Sequence, residues 1–501
     1  MPVKLSYPYS LALALAAGGA LPFAYAPSGL FYIAPLSYAA LFYSWRGLTP
    51  RRAFWAGLSF GGASFFAGVH WVYVSVHDFG QAPIALAVFL TIALVAILAL
   101  FVAVAGWAAA YWFSTDGPAA WFGVLPALWV LTEWWRGWFL GGFGWLAAGY
   151  SQTDSWLMGY APVAGVYAIS WAVLLTAGAL VALGSGTMRA RIGAAAVIGV
   201  LWLGGFALGE HRWTEAKGTV RTVALVQAAV AQDLKWRPEQ RRPTLDLYRS
   251  LTHASEGSAL IIWPEAAIPA LYEQVTDYLR DIRIWAEQRS SAVMTGILRD
   301  DPGGGTFQNT LVVLSDPPAF YVKRHLVPYG EYFPVPGFVR SWMRLMSLPY
   351  TDAVPGDAKQ PPLSVAGEKI GVTICYEDVF GAEQLHYLPD ATLLVNVSND
   401  AWFGDSIAPH QHLQISRVRA AETGRYLLRA TNTGVSAIID PQGRIVGRSP
   451  QFEPHVLRGA VQGYTGVTPY ARWGNYAVVL GALAVIMLQL LITKFTIRPG
   501  T

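Results

Sequence analysis

Ile370-Gly371-Val372-Thr373-Ile374-Cys375-Tyr376-Glu377-Asp378 reads as a short apolar strand that ends on the only cysteine of the chain and turns into three polar residues. β-Branched residues favour a half-buried pleat, and the abrupt change of polarity marks where the strand stops. A solitary thiol cannot staple the fold. A strand end followed by a turn holds such a group at the rim of a sheet, where a nucleophilic thiolate is accessible to a substrate. Free cysteine also serves as a small buried hydrophobe, and position alone leaves both readings open.

Around this strand, residues 209–472 alternate between the two main periodicities. Val220–Val230 is β-rich, Glu239–His253 helical, Ala259–Trp263 a buried strand and Leu271–Arg289 an amphipathic helix. Strands are expected at Ala292–Leu298, Thr310–Leu314, Lys369–Cys375 and Thr392–Val397, a helix near His410–Thr423, then strands at Tyr426–Thr431 and Gly434–Ile439. Asp440-Pro441-Gln442-Gly443-Arg444 has the chemistry of a hairpin turn. A layered α/β domain of this size, about 260 residues, owns its own core.

The flanks are different. Hydrophobic residues form 54% of the chain and charged ones 13%, about half the share usual in soluble domains, which makes this a membrane protein. Apolar runs long enough to span lie near 8–25, 28–45, 54–74, 84–112, 119–138, 160–184, 191–208 and 475–493. Ala24-Tyr25-Ala26 resembles a signal cleavage box, but Pro27 disfavours cleavage and another apolar run follows, so the first is kept as a helix. Lys4, Arg46, Arg51, Arg52, Arg189, Arg191, Lys494 and Arg498 share one side if there are eight spans. Both termini are then cytoplasmic and the polar insert lies outside. The expected domains are 1–208 with seven helices, 209–472 catalytic, and 473–501 a final helix and tail.

Three constellations in the insert carry chemistry. Glu265 in Trp263-Pro264-Glu265 directly follows an apolar strand, a setting that suits a carboxylate to proton transfer, although a solvated loop glutamate reads the same way. Lys323 stands in Lys323-Arg324-His325-Leu326-Val327-Pro328-Tyr329-Gly330-Glu331, which alone is also a basic surface turn. Cys375, with Tyr376 and Glu377, is the third.

In this order the set resembles the nitrilase, or carbon–nitrogen hydrolase, superfamily, whose catalytic residues are a glutamate, a lysine and a cysteine. The surrounding spans narrow the resemblance to the bacterial apolipoprotein N-acyltransferases, carried by His325–Tyr332 and Ser398-Asn399-Asp400-Ala401-Trp402-Phe403-Gly404, and in the helical part by Glu133–Gly137 and Gly149–Gln152. The resemblance implies an α-β-β-α sandwich on the periplasmic face of the inner membrane. It implies Glu265 as general base, Cys375 as nucleophile forming an acyl thioester from a phospholipid, and Lys323 beside the developing oxyanion. The α-amine of a diacylated apolipoprotein's N-terminal cysteine would then take the acyl chain. Glu331, Tyr376, Glu377 and Trp402 would support these groups or shape the pocket. A monomer is expected.

Other signals are weaker. Phe338, Val339, Trp342, Met343, Leu345 and Met346 share one helical face opposite Arg340, Arg344 and Ser347, as in an interfacial lid or an internally packed helix. Glu133 and Arg136 are i and i+3 at the end of a span, where charges are usually paired. Gly57 and Gly61 permit close helix packing. Histidine spacing suggests no metal and the glycines no phosphate loop, so no cofactor is expected. No basic cluster argues for nucleic acid. Two other classes use the same features: a membrane-anchored amidase passing the acyl group to water, and a non-catalytic lipoprotein-binding scaffold.

Overall fold

A computed structural model describes residues 4–328, 330–332 and 352–496. The expected lid segment from Phe338 to Ser347 lies outside the described residues. The chain divides into two compact units. One comprises Met1–Trp213, Asp405–Glu422 and Thr468–Thr501, the other Thr214–Gly404 and Thr423–Val467.

The first unit is helical. Among the described residues, four helices are long and apolar enough to cross a membrane: Ile84–Trp112, Trp156–Gly184, Met188–Glu210 and Tyr476–Thr493. The other four expected stretches are also helical, as Tyr7–Ala20, Ile33–Ser44, Pro50–Val69 and Leu125–Arg136. Three of these are short: Tyr7–Ala20 yields to a 3-10 turn at Leu21–Ala24, where Pro22 removes a backbone donor. Its 14 residues extend about 21 Å, less than the roughly 30 Å of a hydrocarbon core. Pro50–Val69 is longer, but opens with Arg51 and Arg52.

Small residues set the spacing between these helices. A Cβ at Gly57 would lie 2.7 Å from the Val102 carbonyl oxygen, and one at Gly61 2.9 Å from the Ala99 Cα, so both glycines let Pro50–Val69 meet Ile84–Trp112 backbone to backbone. Glu133 and Arg136 form no ion pair with each other among the described residues. Instead Glu133 Oε1 accepts from Trp129 Nε1 at 2.7 Å and from the Ala148 N–H at 2.8 Å, while Arg136 Nη1 donates to the carbonyls of Phe143 and Trp145. The non-helical loop 143–148 has backbone groups that no helix ladder satisfies, and in an apolar setting these two side chains supply the partners.

Two sets of loop contacts mark the ends of the bundle. At one, Arg46 pairs with Asp116 at 3.0 Å and the Gly47 N–H reaches Thr115. At the other, helix Ala408–Thr423 gathers three loops. Gln411 accepts from Trp71 and donates to Gly68; Gln414 accepts from the Ala26 N–H and donates to Thr153; Arg417 pairs with Asp154 at 2.7 Å. Glu422 accepts from the Val166 N–H at 2.7 Å, just past the break in Ala161–Ser185 at Ala164 and Gly165. Leu413, Ile415 and Val418 of this helix are buried, and so are Gln411, Gln414 and Glu422, whose polar groups are met by these hydrogen bonds.

The second unit holds two six-stranded sheets among the described residues. The first has the order β12-β1-β2-β3-β4-β5, with β1 Glu215–Gln227, β2 Leu260–Ile262, β3 Ala292–Asp300, β4 Phe307–Val313, β5 Ala319–Val322 and β12 His455–Thr465. The second has the order β11-β10-β9-β8-β7-β6, with β6 Leu363–Val365, β7 Glu368–Ile374, β8 Leu393–Ser398, β9 Leu427–Thr431, β10 Ala437–Ile439 and β11 Ile445–Arg448. Both have parallel centres, β1-β2-β3 and β7-β8-β9. Val223, Leu225, Ile262 and Met294 of one sheet pack on Ile370, Val372, Val395 and Val397 of the other to form the core between them. The opposite face of the first sheet, including Ile261, Trp263 and Val293, is covered by Tyr248 of helix Pro238–His253 and by Leu279, Ile282 and Ala286 of helix Thr276–Glu287. Strands buried on both faces read as continuous apolar runs, which is why β2 and β7 stood out.

Candidate active site

Four strand ends converge on one cluster. Glu265 lies just beyond β2 and is 6% exposed. Its Oε1 accepts from Asn309 Nδ2 at 2.7 Å and from Lys323 Nζ at 3.2 Å, and its Oε2 accepts from the Asn399 N–H at 2.8 Å. Lys323 follows β5, is 1% exposed, and also reaches Glu331 at 2.9 Å. Glu331 accepts from Asn309 Nδ2 at 2.9 Å and, through Oε2, from the Val327 N–H at 2.8 Å. One lysine and one asparagine thus bridge a buried carboxylate, Glu265, and a half-buried one, Glu331. Burial alone would lower Lys323, but Glu265 and Glu331 outweigh it and hold the ammonium well above the ordinary lysine range.

Cys375 directly follows β7 and begins the turn Cys375–Val379 with φ 52°. A non-glycine residue in the left-handed region is sterically costly, and here it turns the chain sharply at the sheet edge. Burial and the negative charge of Glu265 push the thiol well up from its usual range, opposed by Lys323. Burial and Glu265 thus both favour the neutral thiol, and Glu265 is the carboxylate whose charge it feels most.

Of the supporting or pocket-shaping places the sequence suggests for Glu377, its hydrogen bonds fit a supporting one. Glu377 is fully buried, and its Oε1 accepts from the N–H groups of Arg324 at 2.8 Å and His325 at 3.2 Å. Its Oε2 accepts from the Ile374 N–H at 2.7 Å, and the Tyr321 hydroxyl donates to both oxygens at 3.0 Å. It braces the Lys323 segment against the cysteine turn. Tyr376 packs edge-on to His325 and Phe380, and Trp402, in the turn Asp400–Phe403, is 42% exposed.

Sequence reading missed Asn309, Asn399 and Lys235. The first two occupy polar sites in or beside strands, a pattern that by itself also fits a solvent-facing strand. Gln232 accepts from Asn399 Nδ2 at 2.9 Å, tying short helix Gln232–Lys235 to the cluster. Behind Glu265, Gly296 of β3 lets the backbone lie close: a Cβ there would be 2.4 Å from the Pro264 oxygen and 2.6 Å from the Glu265 Cα. Gly296→Ala is expected to displace Glu265 and lower turnover by about 10²-fold, the scale of an ångström's misplacement, in a kinetic comparison with wild type. Turnover within twofold of wild type would show that Glu265 does not depend on this contact.

The N-terminal region, residues 17–179, matches the family model "Apolipoprotein N-acyltransferase N-terminal domain", and residues 222–470 match "Carbon-nitrogen hydrolase". The chain is 43% identical to the apolipoprotein N-acyltransferase of Methylococcus capsulatus, over 94% of each chain. It is 42% identical to that of Nitrosomonas europaea, over 98% of this chain and 99% of the relative. Among solved structures it is similar to Saccharomyces cerevisiae Nit3 of the nitrilase superfamily, at 17% identity and TM-score 0.38, covering 50% of this chain and 93% of that one. A Nesterenkonia amidase matches at 21% identity and TM-score 0.37, covering 51% and 94%.

Proposed function

This chain belongs to the apolipoprotein N-acyltransferase family, and from that premise we propose how its own residues transfer an acyl chain onto a lipoprotein. It is an acyltransferase of lipoprotein biosynthesis. Glu265 takes the Cys375 proton as Sγ attacks the ester carbonyl of a phospholipid. The C–S bond forms, the ester C–O bond breaks, and the departing lysophospholipid oxygen takes the proton back from Glu265. Lys323 and the backbone N–H of Tyr376 stand for the oxyanion. In the second half the N-terminal α-amine of a diacylated apolipoprotein attacks the thioester. The C–N bond forms, C–S breaks, and the amine proton passes through Glu265 to Sγ. Ester and amine become amide and alcohol, with no cofactor. Glu331 holds Lys323 in place, Glu377 braces the turn, and exposed Trp402 is available to substrate.

The observation that carries this reading is the placement of the Cys375 thiol at a strand end with φ 52°, beside the ion-paired Glu265 and Lys323 whose charges act on it. We also propose that eight helices cross the inner membrane, organised as 1–208, 209–472 and 473–501, with both termini cytoplasmic and the α/β region periplasmic. The loops at Ala26, Trp71 and Thr153 all meet helix Ala408–Thr423, as they would if each adjoining helix crossed once. Arg46 and Asp116 meet at the other end, which agrees with the same alternation.

The decisive experiment supplies purified protein in detergent with phospholipid radiolabelled in the acyl chain, with and without a diacylated lipopeptide. Hydroxylamine-labile label on the protein that moves to the lipopeptide amine is expected. Label that reaches only water would instead assign an amidase.

A further inference from the structure

Resting on the reading above, we infer that Lys235 is the second cation of the active-site cluster, a positioning residue that keeps Glu265 ionised so that it can accept the thiol proton. Glu265 and Glu331 share the single ammonium of Lys323, which leaves the buried cluster one positive charge short. An excess buried carboxylate is costly unless another charge opposes it. Lys235 supplies one. It is 1% exposed, and among the described residues its ammonium makes no ion pair or hydrogen bond, the backbone N–H alone bonding to Ala231, so no local partner accounts for a lysine buried there.

Its placement is held by the site itself. Gln232 of the same turn receives Asn399 Nδ2, and the Asn399 N–H is bonded to Glu265 Oε2. Asn432 clamps the preceding segment, accepting from the N–H of Val230 and donating to its carbonyl. The titratable groups facing Glu265 are Lys323 from the end of β5, the Cys375 thiol beyond β7 and Lys235, with Glu331 reached through Lys323 and Asn309; Asp400, beyond β8, acts on Cys375. Burial pushes Lys235 down to about 8 while Glu265 pulls it upward, so it keeps its proton at neutral pH.

The test compares wild type, Lys235→Met and Lys235→Arg across pH 5 to 9. One readout is hydroxylamine-labile acyl-enzyme formation from radiolabelled phospholipid; the other is iodoacetamide alkylation of Cys375, read by intact mass because the chain has a single thiol. In Lys235→Met the rising acidic limb of both profiles is expected to move about one unit to higher pH, a tenfold loss on that limb, with KM for phospholipid unchanged. Lys235→Arg is expected to restore the wild-type limb. Superimposable profiles for Lys235→Met and wild type overturn the inference. So does an equal shift in both variants, which would make the residue a packing element, and so does a loss confined to KM, which would make it a phosphate contact. If wild type forms no acyl-enzyme while the alkylation limb still shifts, the acyl-transfer reading fails and the role of Lys235 stands.

Discussion

Cys375→Ala is expected to form no acyl-enzyme and to lose about 10⁶ in turnover, the scale seen when the nucleophile of a coupled catalytic set is removed. The remaining groups cannot substitute for it. Alanine keeps the backbone demand of cysteine and removes one half-buried sulfur, so the thermal midpoint in detergent should change little. Labelled phospholipid and hydroxylamine release measure the loss directly. Lipopeptide acylation above about 1% of wild type in the alanine variant would show that transfer does not pass through this thiol, given the 10⁶ expectation.

Lys323→Met is expected to damage both chemistry and stability, for one electrostatic reason. The variant leaves Glu265 and Glu331 facing each other across Asn309, with their shared cation gone. Breaking a buried ion pair from one side costs roughly 3–5 kcal/mol, because the remaining charge is stranded. If Lys323 stands for the oxyanion as proposed, its loss removes at least about 10²–10³ in rate. The two effects separate in the double variant Lys323→Met/Glu331→Gln. Removing the second carboxylate's charge relieves the repulsion, so the thermal midpoint should return toward wild type while activity stays low. A single variant as stable as wild type would show that the cluster does not hold two ionised carboxylates. Recovery of activity in the double variant would show that Lys323 serves only to neutralise Glu331.

Much of the site was legible along the chain, because chemistry at a strand end announces itself locally. The apolar run Ile370–Ile374 broken by Cys375, and the run Leu260–Ile262 broken by Trp263-Pro264-Glu265, both became strands buried on two faces with the polar residue at the edge. Lys323 was less secure, since Lys-Arg-His usually describes a solvated turn. What buries it is a partner 58 positions away, Glu265, and a strand register that carries Asn309 alongside. Glu377, two positions past Cys375, reads from sequence as a supporting or pocket-shaping residue, and only the fold shows that its carboxylate meets four donors from the β5 and β7 ends.

By itself the sequence determined the membrane class, the α/β character of the insert, the order glutamate, lysine, cysteine, and the kinship with the acyltransferases. The first two depend on composition and periodicity, and the last two on short motifs that resemble a known family, all of which a linear chain displays. Tertiary structure alone decided the bridging role of Asn309, the brace formed by Glu377, the buried charge of Lys235, and the assignment of helix Ala408–Thr423 to the helical unit. That helix carries Gln411, Gln414, Arg417, Arg419 and Glu422 alongside its buried Leu413, Ile415 and Val418. Its buried polar groups are met by hydrogen bonds to loops more than 250 residues distant, such as those at Thr153 and Val166. A polar side chain reads the same in sequence whether water or a remote backbone group satisfies it, and only the folded chain chooses between them.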